Sequence, residues 1–308
     1  MESRLFYSHG KLLISGEYLV LDGALALAVP VKLGQSLLIE ECDTPGLHWI
    51  ADQHGGTWFE AFFDLPGLEI KHSTDAGIAS YLRKLLESAR NMQQGFLFPG
   101  RNYRVSTFLE FNRFWGLGSS STLLTNLARW AGIDPFTLHV SVSKGSGYDV
   151  ACASASGPLL YSLVEKKPLI KPVRFQPWFK DSIYFVYLGK KQNSETAIAG
   201  YRKKQEQTAS ALRRVSDISE AMLSAESLEV FQQLMDEHEA IVSKILDAPR
   251  IQDIVFNKFP GTAKSLGAWG GDFAMLATDI GEPELKKQLL LSGLKTWFSF
   301  EELLLQHL

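Results

Sequence analysis

The 308-residue chain has little that would tie it to a structural metal, a membrane or an oxidising compartment. Its two cysteines, Cys42 and Cys152, lie far apart and in no metal-ligand spacing, so neither a disulfide framework nor a zinc site is expected. The seven histidines form no ligand pairs, which argues against zinc-dependent hydrolysis. No apolar run approaches the roughly 18 residues of a membrane span. The start, Met1-Glu2-Ser3-Arg4, has no long apolar stretch behind a basic segment, so no secretory leader is expected. A charge excess is missing too: 31 Lys and Arg against 34 Asp and Glu leave −3, which argues against a general nucleic-acid binder. There is no internal repeat and no Gly-x-x-x-x-Gly-Lys-Ser/Thr phosphate loop. The His-Arg-Asp and Asp-Phe-Gly pair of a protein kinase is also lacking. These absences predict a cytoplasmic enzyme or binding protein that engages no nucleic acid and no membrane; the expected partner is a small molecule, and the expected state a monomer or homodimer.

What is present supports sizeable cores: 45% of residues are apolar, and the length exceeds the usual single core of roughly 100–200 residues, so two domains are expected. Composition shifts at Glu165 to Pro177, where Lys166, Lys167, Pro168, Lys171, Pro172 and Pro177 punctuate the chain. A boundary there divides it into 1–170 and 171–308. In the first part, Leu5–Tyr7, Leu12–Ile14 and Ala24–Val31 read as strands or apolar runs, Leu37–Glu41, Leu47–Asp52 and Thr57–Phe63 with a Gly55-Gly56 hairpin turn read as an antiparallel sheet region, and Tyr103–Phe111 reads as a strand in surroundings that look antiparallel rather than crossover-linked. Ala76–Met92 and Thr122–Ala131 carry apolar residues at helical spacing, Asp134-Pro135 opens another helix, and Pro158–Val164 is a further strand. In the second part, strands at Ser182–Leu188, Phe273–Thr278 and Thr296–Phe300 alternate with helices at Glu195–Met222, Ser227–Leu246 and Glu282–Ser292. A polar turn, Lys190–Thr196, follows the first of these strands. The order strand–helix–helix–strand–helix–strand predicts a ferredoxin-like domain.

Three glycine-rich stretches carry the chemistry. Trp115-Gly116-Leu117-Gly118-Ser119-Ser120-Ser121-Thr122 runs from a strand into a helix. Backbone N–H groups and the helix dipole favour phosphate at such a turn, although glycine and serine before a helix are also ordinary loop-and-cap chemistry. Gly116-x-Gly118 is a poor start to a dinucleotide fingerprint, because the third position holds Ser121. Lys11, beside Gly10 at the mouth of a buried strand, either puts a fixed charge in a cleft or is a solvated surface lysine. Asp149, after Gly145-Ser146-Gly147-Tyr148, either caps a helix or points a carboxylate into a cleft. The third stretch is Lys264-Ser265-Leu266-Gly267-Ala268-Trp269-Gly270-Gly271-Asp272.

Three glycine stations in this order, Gly10 to Gly23, Gly116 to Ser121 and Gly267 to Asp272, resemble the GHMP kinase superfamily, which includes galactokinase, homoserine kinase, mevalonate kinase and phosphomevalonate kinase. Gly16-Glu17-Tyr18-Leu19-Val20-Leu21-Asp22 and Lys144-Gly145-Ser146-Gly147-Tyr148-Asp149-Val150-Ala151 look most like the mevalonate and phosphomevalonate kinase branch. The resemblance implies an α+β, two-domain GHMP kinase-like fold, with a ribosomal protein S5 domain 2-like N-terminal nucleotide-binding domain and a ferredoxin-like C-terminal domain. It implies ATP and Mg²⁺ as cofactors, Asp149 as catalytic carboxylate and Lys11 as its assistant. It implies that Gly116, Leu117, Gly118, Ser119, Ser120 and Ser121 hold the nucleotide phosphates, with the Ser120 hydroxyl on Mg²⁺. Glu17, Tyr18, Ser146, Gly147, Gly267, Ala268, Gly270, Gly271 and Asp272 are expected to face the acceptor or the transferred phosphoryl group.

The implied acceptor is mevalonate or phosphomevalonate. A homoserine or sugar kinase, a diphosphomevalonate decarboxylase and a catalytically silent ligand-binding homologue are the alternatives. Three departures stand out. Arg113-Phe114-Trp115 replaces the family's proline and small residues, and Trp269 stands where glycine is usual, where an indole would narrow the pocket. No acidic Mg²⁺ ligand is evident between the second loop and Asp149.

Overall fold

The computed structural model of the chain describes residues 3–98, 100–190, 194–203 and 209–307. The chain forms two compact units, each assembled from separate stretches. The first comprises the segment ending at Gly10, Leu33–Arg113 and Leu117–Ser154; the second comprises Lys11–Lys32, Phe114–Gly116 and the chain from Ala155 onward. Two long strands, β1 (Ser3–Ser15) and β2 (Ala26–Glu41), contribute residues to both.

In the first unit, β3 (Leu47–Gln53) and β4 (Gly56–Phe63) form the expected hairpin, with Leu47 opposite Phe63. Gly55 and Gly56 both adopt the positive φ that a tight hairpin turn demands. Next, β5 (Ile70–Ser73) pairs antiparallel with β4. Helix α1 (Ala76–Met92) starts where Asp75 accepts the Gly77 and Ile78 N–H groups, and it buries Ala79, Leu82, Leu85, Leu86 and Ala89. Strand β6 (Tyr103–Leu109) pairs antiparallel with the Gln35–Glu41 half of β2 but parallel with β3. The all-antiparallel expectation is thereby corrected. The chain between β3 and β6 includes α1, a crossover long enough to return the strand in the same direction. Three helices follow: α2 (Ser119–Ala131), α3 (Pro135–Val142) and α4 (Tyr148–Ser154). Trp49, Phe59, Phe63, Leu86, Leu127 and Val150 belong to the apolar core that these elements enclose. The α2 helix begins three residues earlier than its apolar pattern implied, so the three serines are its first turn.

In the second unit, β7 (Leu159–Val164) pairs with Ala26–Ala28 of β2 and with β8 (Lys167–Pro172). The polar, proline-punctuated stretch that read as a linker thus contains a hairpin, turning at Glu165 and Lys166 with positive φ. Every residue of β8 is exposed, and lysine and proline are the residues that keep an edge strand from pairing further. Then come β9 (Ile183–Tyr187), α5 (Ser194–Arg202), α6 (Ala209–Ala221), α7 (Leu228–Leu246), α8 (Ile251–Ile254), β10 (Thr262–Leu266), β11 (Phe273–Ala277), α9 (Glu282–Leu291), β12 (Trp297–Ser299) and α10 (Phe300–Leu303). The helix expected over 195–222 is found as α5 and α6; residues 204–208, and 191–193 of the expected polar turn, lie outside the described residues. The sheet runs β10-β11-β9-β12 and every pair is antiparallel, the ferredoxin-like order. Strand β10 was not legible beforehand, because Lys264 interrupts its apolar pattern. Among the described residues no helix is long and apolar enough to cross a membrane.

Candidate active site

The first motif turns a sharp corner inside the second unit. Gly16 has φ +93, and a Cβ there would meet Ala26 Cβ at 2.5 Å and Ala26 Cα at 2.8 Å, so no other residue fits. Tyr18 follows with φ 64, and Leu19–Asp22 form one 3₁₀ turn. This corner drives the Glu17 side chain inward. Glu17, expected to face the acceptor, is 2% exposed and forms an ion pair with Lys264 of β10, itself 1% exposed. Lys264 Nζ also donates to the Ser265 carbonyl at 2.9 Å.

Two neighbours on α7 complete the cluster. His238 is fully buried and its Nε2 accepts the Gly16 N–H at 2.9 Å. Glu239 accepts the Ser265 N–H. With its Nε2 lone pair engaged, His238 carries its proton on Nδ1, and burial holds the imidazole neutral, well below its usual pKa. The 3.2 Å approach of Glu17 Oε2 to Nε2 is therefore not an ion pair. The Lys264 ammonium pairs with Glu17, and its charge also acts on Glu239. Burial raises the pKa of both against the pull of Lys264, and Glu239 is pushed up to about 7.

That arrangement sets a pH dependence. Between about 4.5 and 7 the folded state holds a proton on Glu239 that the unfolded chain does not, so this stabilisation fades as pH rises through 7. Glu239→Gln keeps a carbonyl acceptor for the Ser265 N–H and has no charge to bury. Glu17, Lys264, His238 and Arg250 act on the site in both proteins, and the loss as His238 is protonated at low pH is common to both. The Tm of the variant minus that of the native protein should increase from pH 5.5 to pH 8.5; about 1 kcal/mol would move it by about 2–4 °C in a unit of this size. A difference that stays flat or shrinks contradicts the assignment.

Lys11, Gly116 and Asp272 come together in the same unit. Lys11 stands half-buried in β1, and its Nζ donates to the Gly116 carbonyl at 2.9 Å. Gly116 has φ +71, and a Cβ there would overlap the Asp272 carboxyl group. Asp272 is buried in the left-handed region with φ 54; its N–H donates to the Lys190 carbonyl at 2.8 Å and its carbonyl accepts the Leu188 N–H at 2.9 Å. A Cβ on Gly267 would stand 3.6 Å from the same carboxylate. Ala268 and Gly271 are buried, while Gly270 is half-buried.

Both tryptophans that depart from the resembled motif are packed and partly buried. The Trp269 N–H is bound by the Tyr18 hydroxyl at 2.8 Å, and its indole N–H donates to the Pro249 carbonyl at 3.0 Å. The ring joins the apolar cluster of Tyr18, Leu19, Tyr201 and Val242, so the indole is committed to that cluster. Trp115 lies edge-on to Phe273 and Phe298.

In the first unit, Gly118 (φ +94) leads into α2 with no side chain capping its first turn. The Ser121 hydroxyl is buried and donates back to the Gly118 carbonyl at 2.8 Å, and the Thr122 hydroxyl reaches Gln35 Oε1 at 2.7 Å. These two bonds brace the turn from inside; Leu117 is buried beneath it, Ser119 is half-buried and Ser120 is exposed. Such a turn, with backbone donors at a helix start and no competing cap, suits the phosphates of a nucleotide. Helix α4 packs against α2. Gly147 has φ +88, Ser146 is half-buried, and Asp149 is the second residue of α4, also half-buried. Asp149 is not the cap, because it lies inside the helix, where its Oδ1 accepts the Val150 N–H at 3.1 Å.

Lys264, His238 and Glu239 were not singled out from the sequence. One signal was available: Phe231, Met235, His238 and Val242 recur at helical spacing, which puts His238 on the inner face of α7.

No protein-family model and no curated protein sequence matches the chain. Solved structures do match its fold. The mevalonate kinase of L. major in complex with R-mevalonate superposes with a TM-score of 0.71 at 18% identity, covering 99% of this chain and 96% of that one. The phosphomevalonate kinase of Streptococcus pneumoniae in complex with phosphomevalonate and AMPPNP gives 0.69 at 17%, covering 96% and 99%. The Lactococcus lactis galactokinase complexed with galactose gives 0.68 at 13%, covering 99% and 94%. The chain therefore has the α+β fold of the GHMP kinases. Three enzymes with different acceptors match almost equally well, so the fold does not select among them.

Proposed function

We propose that this chain is an ATP- and Mg²⁺-dependent kinase that transfers the γ-phosphoryl group to a small metabolite, with mevalonate or phosphomevalonate as acceptor. One observation carries the reading: the Lys11 ammonium, from the first motif, is hydrogen-bonded to Gly116 of the second, in a chain with the fold of small-molecule kinases. Phosphoryl transfer asks a protein for alignment and charge neutralisation more than for covalent chemistry. The N–H groups from Gly116 to Ser121 would hold the nucleotide phosphates, and the exposed Ser120 hydroxyl would be a ligand of Mg²⁺. Bound Mg²⁺ would offset the charge of the phosphate oxygens. Asp149 would accept or orient the proton of the acceptor hydroxyl, and Lys11 would stabilise charge on the transferred group. Tyr18, Ser146, Gly147 and the Gly267 to Asp272 loop would contact the acceptor or that group. Glu17, being buried, would act by holding the corner of the first motif against Lys264.

The test is ADP release over a panel of mevalonate, 5-phosphomevalonate, homoserine and galactose, with ATP alone as background. One acceptor should raise turnover well above that background. Carbon dioxide released with ADP from diphosphomevalonate would identify the decarboxylase instead. Nucleotide binding with no acceptor-stimulated turnover would replace the kinase reading with a ligand-binding homologue.

A further inference from the structure

Helix α2 carries a polar stripe that solvent does not reach. Thr122, Asn126 and Arg129 recur at spacings of four and three, so they share one face, while Leu124, Leu127, Ala128 and Ala131 form the apolar face. A polar helix face ordinarily meets water. Here Thr122 and Asn126 are fully buried, together with Ser8 of β1 and Gln35 of β2, which is 3% exposed. These side chains are joined. Asn126 Nδ2 donates to the Gln35 carbonyl at 2.8 Å, and the Ser8 hydroxyl donates to Asn126 Oδ1 at 2.7 Å. The Thr122 hydroxyl lies 2.7 Å from Gln35 Oε1 and 3.0 Å from the Ser119 carbonyl, and the Thr122 N–H donates to the Gly118 carbonyl at 3.0 Å. Arg129 extends the chain by donating to the Tyr7 carbonyl at 2.6 Å. All of these residues lie in the first unit.

We propose that Gln35 and Thr122 are positioning residues for the nucleotide phosphates, an inference that rests on the kinase reading. Both are buried, so neither touches a nucleotide; they act through the main chain of Gly118 and Ser119. Apolar contacts are non-directional, so an apolar stripe alone lets a helix slide and rotate a little. Hydrogen bonds have a defined length and angle and fix both. The first turn of α2 needs that, since no side chain caps it and its N–H groups are the proposed phosphate donors. The same stretch of β2 also holds the chain that leaves β6. The Gly34 N–H donates to Glu110 Oε2 at 2.8 Å, the Glu110 N–H donates to the Gly34 carbonyl at 3.0 Å, and a Cβ on Gly34 would overlap the Ser8 carbonyl. Gly34 and Gln35 thus anchor both the residue after β6 and the first turn of α2. A phosphate turn held in this way is preorganised, so its donors lose less freedom when the ligand arrives.

The test uses the full chain, with AMPPNP and Mg²⁺ as the probe, and sets affinity against melting temperature. Thr122→Val keeps the side-chain shape and loses the hydroxyl. Thr122→Ser keeps the hydroxyl and loses a buried methyl group, so its Tm should fall. The Kd for AMPPNP, measured by calorimetry, should rise about fivefold in Thr122→Val, near the worth of one neutral hydrogen bond, and stay within about twofold of native in Thr122→Ser despite its lower Tm. Gln35→Met removes the other partner at similar length. It should match the valine variant, and it serves in its place if that variant does not fold. With the acceptor found in the panel, the KM for ATP should rise in Thr122→Val and Gln35→Met while the KM for the acceptor stays within about twofold of native. Affinity that follows Tm, with the serine variant the weaker binder, makes the network structural only and overturns the proposal. So does an AMPPNP Kd within about twofold of native in both Thr122→Val and Gln35→Met. If native protein binds no AMPPNP, the kinase reading itself fails, and this inference with it. Normal native binding with unchanged variants removes only the role of Gln35 and Thr122.

Discussion

Asp149→Asn is expected to lower kcat by about 10²–10⁴, the usual contribution of a positioned general base, while the Kd for nucleotide changes less than threefold. The substitution is close to isosteric, and the amide oxygen can still accept the Val150 N–H that Asp149 Oδ1 accepts at 3.1 Å. The residue is half-buried and lies one position inside α4, so the helix does not need it as a cap. Its charge near the N-terminal end of α4 is favourable, worth about 0.3–1 kcal/mol, so a small drop in Tm is expected as well. Steady-state kinetics with the acceptor identified from the panel, together with a melting curve, separate the two contributions. A variant with kcat within threefold of native and a lowered Tm would make Asp149 a helix-end residue and remove it from the chemistry.

Lys264→Met should cost about 3–5 kcal/mol of stability, the range found when one partner of a buried ion pair is removed. The loss does not come from the attraction alone. Without the ammonium, Glu17 and Glu239 remain in an apolar interior, 2% and 1% exposed, with no neutralising charge from β10. Burial already raises both carboxylates, and losing Lys264 removes the largest of the influences that lower them. Their pKa values therefore rise further, so the loss should be smaller at pH 5, where both can be protonated, than at pH 8. The double variant Glu17→Gln, Lys264→Met should recover the share of the loss that comes from Glu17, with Glu239 left as the one carboxylate lacking the ammonium. Chemical denaturation at the two pH values measures all three. A cost below about 1 kcal/mol for the single variant at pH 8 would show that water or rearrangement already screens the cluster.

Much of the fold was readable from local pattern. The periodicity of Ala76 to Met92 marked α1 at both ends, because Asp75 caps it and its buried face recurs at helical spacing. Gly55-Gly56 marked the β3–β4 hairpin for a similar reason: the turn's backbone requires positive φ. The failures have a physical pattern too. Strand β10 was missed because Lys264 carries a charge where an apolar residue is usual. Its side chain is buried only because Glu17, distant in sequence, neutralises it. The parallel pairing of β3 with β6 was missed because strand direction depends on the crossover between them.

For the site, the sequence determined which chemical groups exist and which turns are glycine-dependent: Lys11, Gly116, Gly118, Asp149 and Gly267 to Asp272 all stand out by residue type and local spacing. Tertiary structure alone decided what each group meets. It turned Glu17 inward onto Lys264, packed the Trp269 indole among Tyr18 and its neighbours, bonded Lys11 to the Gly116 carbonyl and set the Asp272 carboxylate against the same glycine. Backbone preference is local and can be read residue by residue. The burial of a charge, and so its pKa and its possible ligands, depends on partners that only the folded chain brings within a few ångströms.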